Sequence, residues 1–208
     1  MAKKSTRNTR GRIVSAAWKL FYEQGYEDTT VEEIIELSGT SKGSFYHYFD
    51  GKDALLSTLS SLFDEKYEEL TGLLTPEMTA MEQLLFLNRE LFHMIEDSIS
   101  LDLLARLYST QLTTNGEKHL LDHNRIYYKL LRKIIAKGQA EGQLSSRSNV
   151  NEMVKLYALC ERALLYDWCL CAGEYALTEY SRLYIFKEES CLKNPEGPLR
   201  CIPSGHIR

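Results

Sequence analysis

Apolar residues recur at every third or fourth position along most of this 208-residue chain, which is the spacing of one face of a helix. No run alternates apolar and polar residues in the way of a half-buried strand. The pattern therefore predicts an all-α fold. The predicted helices span residues 13–24, 31–38, 42–49, 53–72, 81–95, 101–108, 117–141, 150–172 and 177–189.

The segment 29–52 carries a dense set of helix start and stop signals. Thr30 and Glu33 have the spacing of a capping box, which starts a helix at the residue after Thr30. Gly39 can adopt a positive φ and end that helix, and Ser41 is a good N-cap two residues later. Two short helices separated by a tight turn are predicted here.

The second of these helices has an inward and an outward side. Phe45 and Phe49 lie four residues apart and are expected to face the core. The other positions carry polar groups, namely Lys42, Ser44, Tyr46, His47 and Tyr48. Such a helix suits an acidic, hydrogen-bonding partner, as the second helix of a helix-turn-helix does on DNA. Ordinary packed surface helices carry similar caps, so the local chemistry leaves both interpretations open.

A third helix is expected to follow directly. Asp50 is predicted to cap it, and its first turn holds Lys52. The N–H groups at a helix N-terminus already favour a phosphate, so an ammonium at this place suits a DNA backbone.

The whole segment closely resembles the amino-terminal domain of the TetR family of bacterial transcriptional regulators. The matching residues are Gly25-Tyr26, Thr29-Thr30-Val31, Ile34, Gly39, Ser41-Lys42-Gly43, Phe45-Tyr46-His47-Tyr48-Phe49 and Lys52-Asp53-Ala54-Leu55-Leu56. The resemblance covers the first quarter of the chain strongly and the rest weakly. Ile35 and Leu37 stand where the family usually has alanines, and Thr40 replaces the usual valine of the turn.

The resemblance implies a dimeric, all-helical, repressor-like protein that binds double-stranded operator DNA and responds to a small-molecule effector. The residues expected to contact DNA are Thr30, Ser41, Lys42, Gly43, Ser44, Tyr46, His47, Tyr48 and Lys52. We expect Lys42, Ser44, Tyr46 and His47 at base edges or the adjoining backbone, and Thr30, Tyr48 and Lys52 at phosphates. Gly43 is expected to let the helix approach the duplex closely.

The net charge of −4 is unusual for a DNA-binding protein, but the basic charge is local. Residues 1–12 contain Lys3, Lys4, Arg7, Arg10 and Arg12 and no acid. This arm is expected either to add phosphate or minor-groove contacts or to be a solvated terminus. No apolar run approaches the roughly 20 residues that cross a bilayer, so no membrane association and a cytoplasmic location are expected. The cysteine count is 5, an odd number that favours reduced thiols.

The sequence predicts three regions: a helix-turn-helix domain over 1–51, a helical ligand-binding and dimerisation domain over 52–190, and an irregular tail over 191–208. Aromatic residues of the middle helices either line a ligand cavity or fill a core, and the candidates are Phe86, Phe92, Tyr108, Tyr127 and Trp168. The last two helices are apolar on more than one side, so each is expected to pair with its mate in a homodimer.

Other functions find less support in the sequence. His119 and His123 have metal-compatible spacing on a helix, but no third ligand is evident, and no metal or cofactor is expected. Phosphate-binding loops, nucleophile elbows and paired carboxylates are missing, so the chain is not expected to be an enzyme. The alternative function is a helical protein-interaction adaptor with a vestigial DNA-binding module.

Overall fold

The computed structural model describes residues 2–113 and 118–185, and within them the side chains other than those of residues 2–8 and 184. All regular structure in these ranges is helical, which confirms the predicted all-α class. The helices are α1 (Ala2–Gln24), α2 (Val31–Ser38), α3 (Lys42–Tyr48), α4 (Lys52–Leu56), α5 (Leu59–Thr71), α6 (Ala80–Ser98), α7 (Leu101–Thr113), α8 (Ile126–Ala140), α9 (Val150–Leu170) and α10 (Leu177–Ile185), with a 3₁₀ turn at His119–Leu121.

The chain forms two compact units. Of the described residues, the first holds 2–63, 99–113 and 118–122, so the segment that carries α7 joins the amino-terminal helices. In this unit α1 packs against α2 and α3, and α4 packs against α7. The fully buried residues Ile13, Phe21, Ile34, Phe45 and Leu55 form its apolar centre.

Of the described residues, the second unit holds 64–98 and 123–185. Here α6 packs against α8 and α10, and α9 packs against the same two helices. Gly138 on α8 marks a close approach to α6, since a Cβ at this position would lie 2.5 Å from the Cβ of Ala80. The predicted boundary between residues 51 and 52 stays a prediction, and the predicted tail 191–208 lies outside the described residues.

A buried polar network lies inside the second unit. The Glu161 carboxylate accepts from Asn88 Nδ2 at 2.7 Å and from Tyr127 Oη at 2.6 Å. Ser181 Oγ in turn donates to Asn88 Oδ1 at 2.7 Å. Burial raises the pKa of the Glu161 carboxyl above its ordinary value. The network joins α6, α8, α9 and α10 through hydrogen bonds that an apolar core does not make.

Several predicted helices differ in extent from the observed ones, and the first, predicted over 13–24, begins already at Ala2. The predicted helix 53–72 is interrupted between α4 and α5, where Ser57 Oγ donates to the carbonyl of Ala54 at 2.7 Å and Thr58 Oγ1 to that of Leu55 at 2.5 Å. These hydroxyl bonds compete with continuation of the helix. The predicted helix 117–141 begins only at α8, and Leu121, which lies in the preceding 3₁₀ turn, is exposed.

One predicted cap is also wrong. Asp50 does not cap α4, whose N-cap is Gly51 without a side-chain hydrogen bond. The N-cap of α9 is Asn149, which forms a capping box with Glu152. In this box each partner's side chain accepts from the other's backbone N–H.

Candidate nucleic-acid interface

The start of α2 has the predicted capping box. Glu33 N–H donates to Thr30 Oγ1 at 3.2 Å, while Thr30 N–H donates to Glu33 Oε2 at 2.7 Å. The backbone hydrogen bond from Thr30 lowers the pKa of the Glu33 carboxyl. This box fixes the residue at which α2 begins.

The turn between α2 and α3 is as tight as the sequence predicts. Gly39 has φ of 59°, the left-handed conformation that glycine adopts at little cost. Thr40, which departs from the usual apolar residue of the turn, places its hydroxyl 2.8 Å from Ser38 Oγ. The hydroxyl therefore has a hydrogen-bond partner inside the turn.

The α3 helix begins at the predicted cap and has the predicted inward side. Ser41 Oγ accepts from Ser44 N–H at 3.1 Å. Phe45 and Phe49 are both buried. The remaining side is open: Lys42, Gly43, Tyr46 and His47 are exposed, and Ser44 and Tyr48 are half-buried.

Gly43 has room for a larger side chain within the protein itself. A Cβ built on it would meet only Ser41 Oγ, at 4.0 Å. None of the described residues therefore requires glycine at this exposed position of α3.

An ion pair joins the two helices across this surface. Lys42 Nζ lies 3.3 Å from Glu32 Oε1, and the two side chains are 68% and 69% exposed. The pKa of the Glu32 carboxyl is lowered by its own backbone N–H and by Lys42. Sequence reasoning missed Glu32, since the pair depends on how α2 and α3 cross.

The structure places Lys52 in a different setting from the one expected. Its ammonium donates to the carbonyl oxygens of Tyr26 at 2.5 Å, Glu27 at 3.2 Å and Thr29 at 2.8 Å. An ammonium has three donors, so three carbonyls engage all of them. The expected phosphate contact of Lys52 stays a prediction, and it requires at least one of these bonds to break.

Two arginines of α1 also reach this surface. The Arg12 guanidinium donates to the carbonyl of Gly39 at 3.3 Å, and Arg10 lies 5.4 Å from the ring centre of Phe49. Both belong to the basic arm that the sequence analysis left open between a DNA contact and a solvated terminus. The described part of the arm is helical and touches the helix-turn-helix.

The five candidate ligand residues do not lie in one compact unit. Phe92, Tyr127 and Trp168 are buried and Phe86 is half-buried, all in the second unit, whereas the half-buried Tyr108 belongs to the first. Tyr127 donates to Glu161, and Trp168 Nε1 donates to the carbonyl of Tyr175 at 2.9 Å. A ligand-binding role for these residues stays a prediction.

His119 and His123 do not share a helix, since the first lies in the 3₁₀ turn and the second lies between that turn and α8. In the described parts of the chain, no group of three or more metal-ligating side chains is placed to hold an ion. The described helices also include none long and apolar enough to cross a membrane.

Residues 13–59 match the family model described as "Bacterial regulatory proteins, tetR family". An uncharacterized HTH-type transcriptional regulator in the lacX 3' region of Lactococcus lactis subsp. lactis is 39% identical over 56 residues, which are 26% of this chain and 29% of that protein. The HTH-type regulator YvdT of Bacillus subtilis, also uncharacterized, is 26% identical over 70% of this chain and 75% of its own length.

Among solved structures, Thermus thermophilus FadR, a TetR-family transcriptional repressor in complex with lauroyl-CoA, is similar with a TM-score of 0.70. The match has 24% sequence identity and covers 83% of this chain and 89% of FadR, so it shows a common fold. The chain spans about a third or less of the length of the curated relatives that it matches at 34–44% identity. The match of residues 13–59 to the tetR family model confirms the family resemblance inferred from the sequence.

Proposed function

Because residues 13–59 match the family model of the bacterial tetR regulators, we propose that this chain is a transcriptional repressor that binds a pseudopalindromic operator as a homodimer and is released by a small-molecule effector. The proposal assigns it no catalytic role. Regulators of this family are the proteins to which its amino-terminal segment is similar.

The observation that carries the proposal is the open side of α3. Phe45 and Phe49 hold the helix on the core, so the exposed Tyr46, His47 and Lys42 point away from it. Donors of this kind on a short helix suit base edges in the major groove and the phosphates beside them. The exposed Gly43 leaves the start of the helix without a side chain to hold the duplex away.

The homodimer is supported by apolar residues that α9 and α10 leave exposed. Leu159, Tyr166 and Leu170 recur at helical spacing on α9 and are 53%, 47% and 67% exposed, and Leu183 on α10 is 54% exposed. A stripe of large apolar residues on adjacent helices is typical of a protein interface. A second copy of this chain would cover it and pair the two helix-turn-helix units.

The proposed release follows from the spacing of the half-sites. Two major grooves on one face of B-DNA lie about 34–36 Å apart, or a multiple of this distance. An effector that binds better to a dimer with a different separation shifts the population away from DNA. Since the FadR neighbour holds lauroyl-CoA, long-chain acyl-CoA is the first effector class to test.

The test of DNA binding is a selection from random duplex DNA with the purified full-length chain. We expect enrichment of an inverted repeat. Tyr46→Ala should then weaken binding by about 5- to 150-fold, the value of one lost base contact of about 1–3 kcal/mol. Tyr22→Ala is the matched control, because Tyr22 is 76% exposed on α1 and lies outside the helix-turn-helix.

No enrichment from the pool, or equal affinities of the Tyr46 and Tyr22 variants for the enriched DNA, would contradict the proposal. The homodimer is tested separately by sedimentation equilibrium, which should give twice the 24.0 kDa of one chain. Leu159→Glu should yield the monomer, whereas Leu73→Glu should not, although Leu73 is 57% exposed.

A further inference from the structure

Five side chains of the first unit form a contact network that we call the Tyr26 cluster: Tyr26, Glu27, Lys52, Asp53 and Arg106. Arg106 on α7 places its guanidinium 4.9 Å from the centre of the Tyr26 ring and forms an ion pair with Glu27. The cluster therefore links α7 to the loop between α1 and α2, far away in sequence.

Tyr26 is the centre of this cluster. The residue is 4% exposed, its hydroxyl donates to the Asp53 carboxylate, and the Lys52 ammonium lies 4.3 Å from the ring centre. Burial is the main cause that raises the pKa of the Tyr26 hydroxyl, and the hydrogen bond to Asp53 is the second. The hydroxyl therefore stays a neutral donor. Two cations near one aromatic ring are each attracted by its π-face.

The loop held by this cluster leads directly into the helix-turn-helix. Thr29 Oγ1 donates to the carbonyl of Gly25 at 2.7 Å, and the next residue, Thr30, is the N-cap of α2. Lys52 at the start of α4 donates to three carbonyls of the same loop. The capping box fixes the residue at which α2 begins, whereas the position of the loop before it is held by Lys52 on α4 and by Arg106 on α7.

The orientation of the Arg106 side chain is held by a residue of its own helix. Arg106 Nε lies 3.0 Å and 2.8 Å from the two carboxylate oxygens of Asp102, one turn earlier on α7. A guanidinium held in this way loses less rotamer freedom when it also meets Glu27 and Tyr26.

We propose that Arg106 is a positioning residue for DNA binding, which holds the loop at residues 25–29 so that α2 and α3 stand in the DNA-binding arrangement. This rests on the proposed function and names a route for its regulation. Only Ile99 and Ser100 separate α7 from α6, so the chain connects Arg106 directly to a helix of the second unit. A change that draws α7 away removes the contacts of Arg106 to the loop.

An ordinary surface ion pair would have no such effect, and the chain offers one for comparison. Arg89 on α6 pairs with Glu90 at 2.8 Å and lies 5.6 Å from the ring centre of Phe86. It has the same two kinds of contact as Arg106, but all of them stay within one helix. Arg89→Ala is therefore the matched control for Arg106→Ala.

The first experiment measures hydrogen exchange of the full chain without DNA. We expect Arg106→Ala to raise exchange about tenfold at the amides of residues 26–34, and Arg89→Ala to leave them at the wild-type rate. Glu27→Gln removes the ion pair at a side chain that is 69% exposed, so it should fold and give a smaller rise. Wild-type exchange at these amides in Arg106→Ala would overturn the proposal.

The second experiment titrates the selected operator. Arg106→Ala should lower affinity about tenfold, Arg106→Lys should recover part of it, and adding Glu27→Gln to Arg106→Ala should cause no further loss because both changes break one contact. The slope of log affinity against log salt should stay as in the wild type, since a positioning residue neutralises no phosphate, whereas a direct contact contributes about −0.9.

The outcomes separate the two proposals. A wild-type chain that binds no DNA overturns the proposed function. A wild-type chain that binds the operator while Arg106→Ala binds it equally well, or a salt slope that becomes shallower in Arg106→Ala, overturns only the positioning role.

Discussion

Replacing Gly43 by alanine separates what α3 needs for folding from what it needs for DNA. A Cβ at this position would meet only Ser41 Oγ, at 4.0 Å, so the folded protein accommodates it. Alanine is favoured over glycine inside a helix by about 1 kcal/mol at most. For a chain of this size, each 1 kcal/mol shifts Tm by about 2–4 °C, so Gly43→Ala should melt at the wild-type temperature or slightly above it.

The same methyl group should weaken DNA binding. If the start of α3 lies against the duplex, as proposed, the added group meets DNA where the free protein has open space. Overpacking of a close contact costs about 1–3 kcal/mol, which corresponds to a loss of affinity of about 5- to 150-fold. The assay is a fluorescence-anisotropy titration of the selected operator, with melting followed by circular dichroism on the same samples.

Gly138→Ala is the matched control with the opposite expectation. A Cβ there would lie 2.5 Å from Ala80 Cβ and 2.9 Å from Leu144 Cδ1, so α8 or its neighbours must shift. Tm should fall, while the folded protein should keep its operator affinity. Wild-type affinity in Gly43→Ala would refute the close approach of α3 to DNA, and a lowered Tm in that variant would refute the argument from free space.

Three further outcomes follow from contacts described above. Glu32→Gln removes the ion-pair partner of Lys42, so the affinity for the operator should rise in the same titration and should depend more steeply on salt. An unchanged slope of log affinity against log salt would show that Lys42 contacts no phosphate. Lys52→Met removes three hydrogen bonds to loop carbonyls and should lower Tm; a shallower salt slope would support the phosphate contact expected of Lys52, and an unchanged slope would contradict it. Because burial raises the pKa of Glu161, its neutral form stabilises the fold below the ordinary carboxyl pKa and this stability is lost as pH rises through the raised value. Urea unfolding between about pH 4 and 8 should therefore show the wild type losing stability relative to Glu161→Gln as pH rises, and parallel curves would contradict this sign.

The sequence predicts the helix-turn-helix well because its signals are local. Thr30 with Glu33, and Ser41 with Ser44, are pairs three residues apart, and each forms the predicted cap. Gly39 likewise acts through its own φ. No long-range contact is needed to place these features, which is why the segment 29–49 has the predicted helices and turn.

The errors arise where distant residues or competing local signals decide. Apolar spacing extends the predicted helix 53–72 through Ser57 and Thr58. Their hydroxyls instead donate to backbone carbonyls of the preceding turn, and Thr58 Oγ1 also accepts from Trp18 Nε1 at 2.8 Å. The run of hydroxyl residues from Ser57 is a signal that could have indicated the break. The partners of Lys52 and Arg106 had no such signal, because they depend on how the loop folds back on α4 and α7.

These tertiary contacts bear on how an acidic chain would recognise DNA. Lys42 pairs with Glu32, the three donors of Lys52 meet loop carbonyls, and Arg12 donates to Gly39. Each of these cations must exchange an existing partner to reach a phosphate, so its net contribution to affinity is smaller than that of a free cation. Under the proposed function, more of the discrimination then falls to Tyr46 and His47 at base edges. In the proposed dimer, the separation of two such helices would contribute the rest, and this separation is what an effector would change.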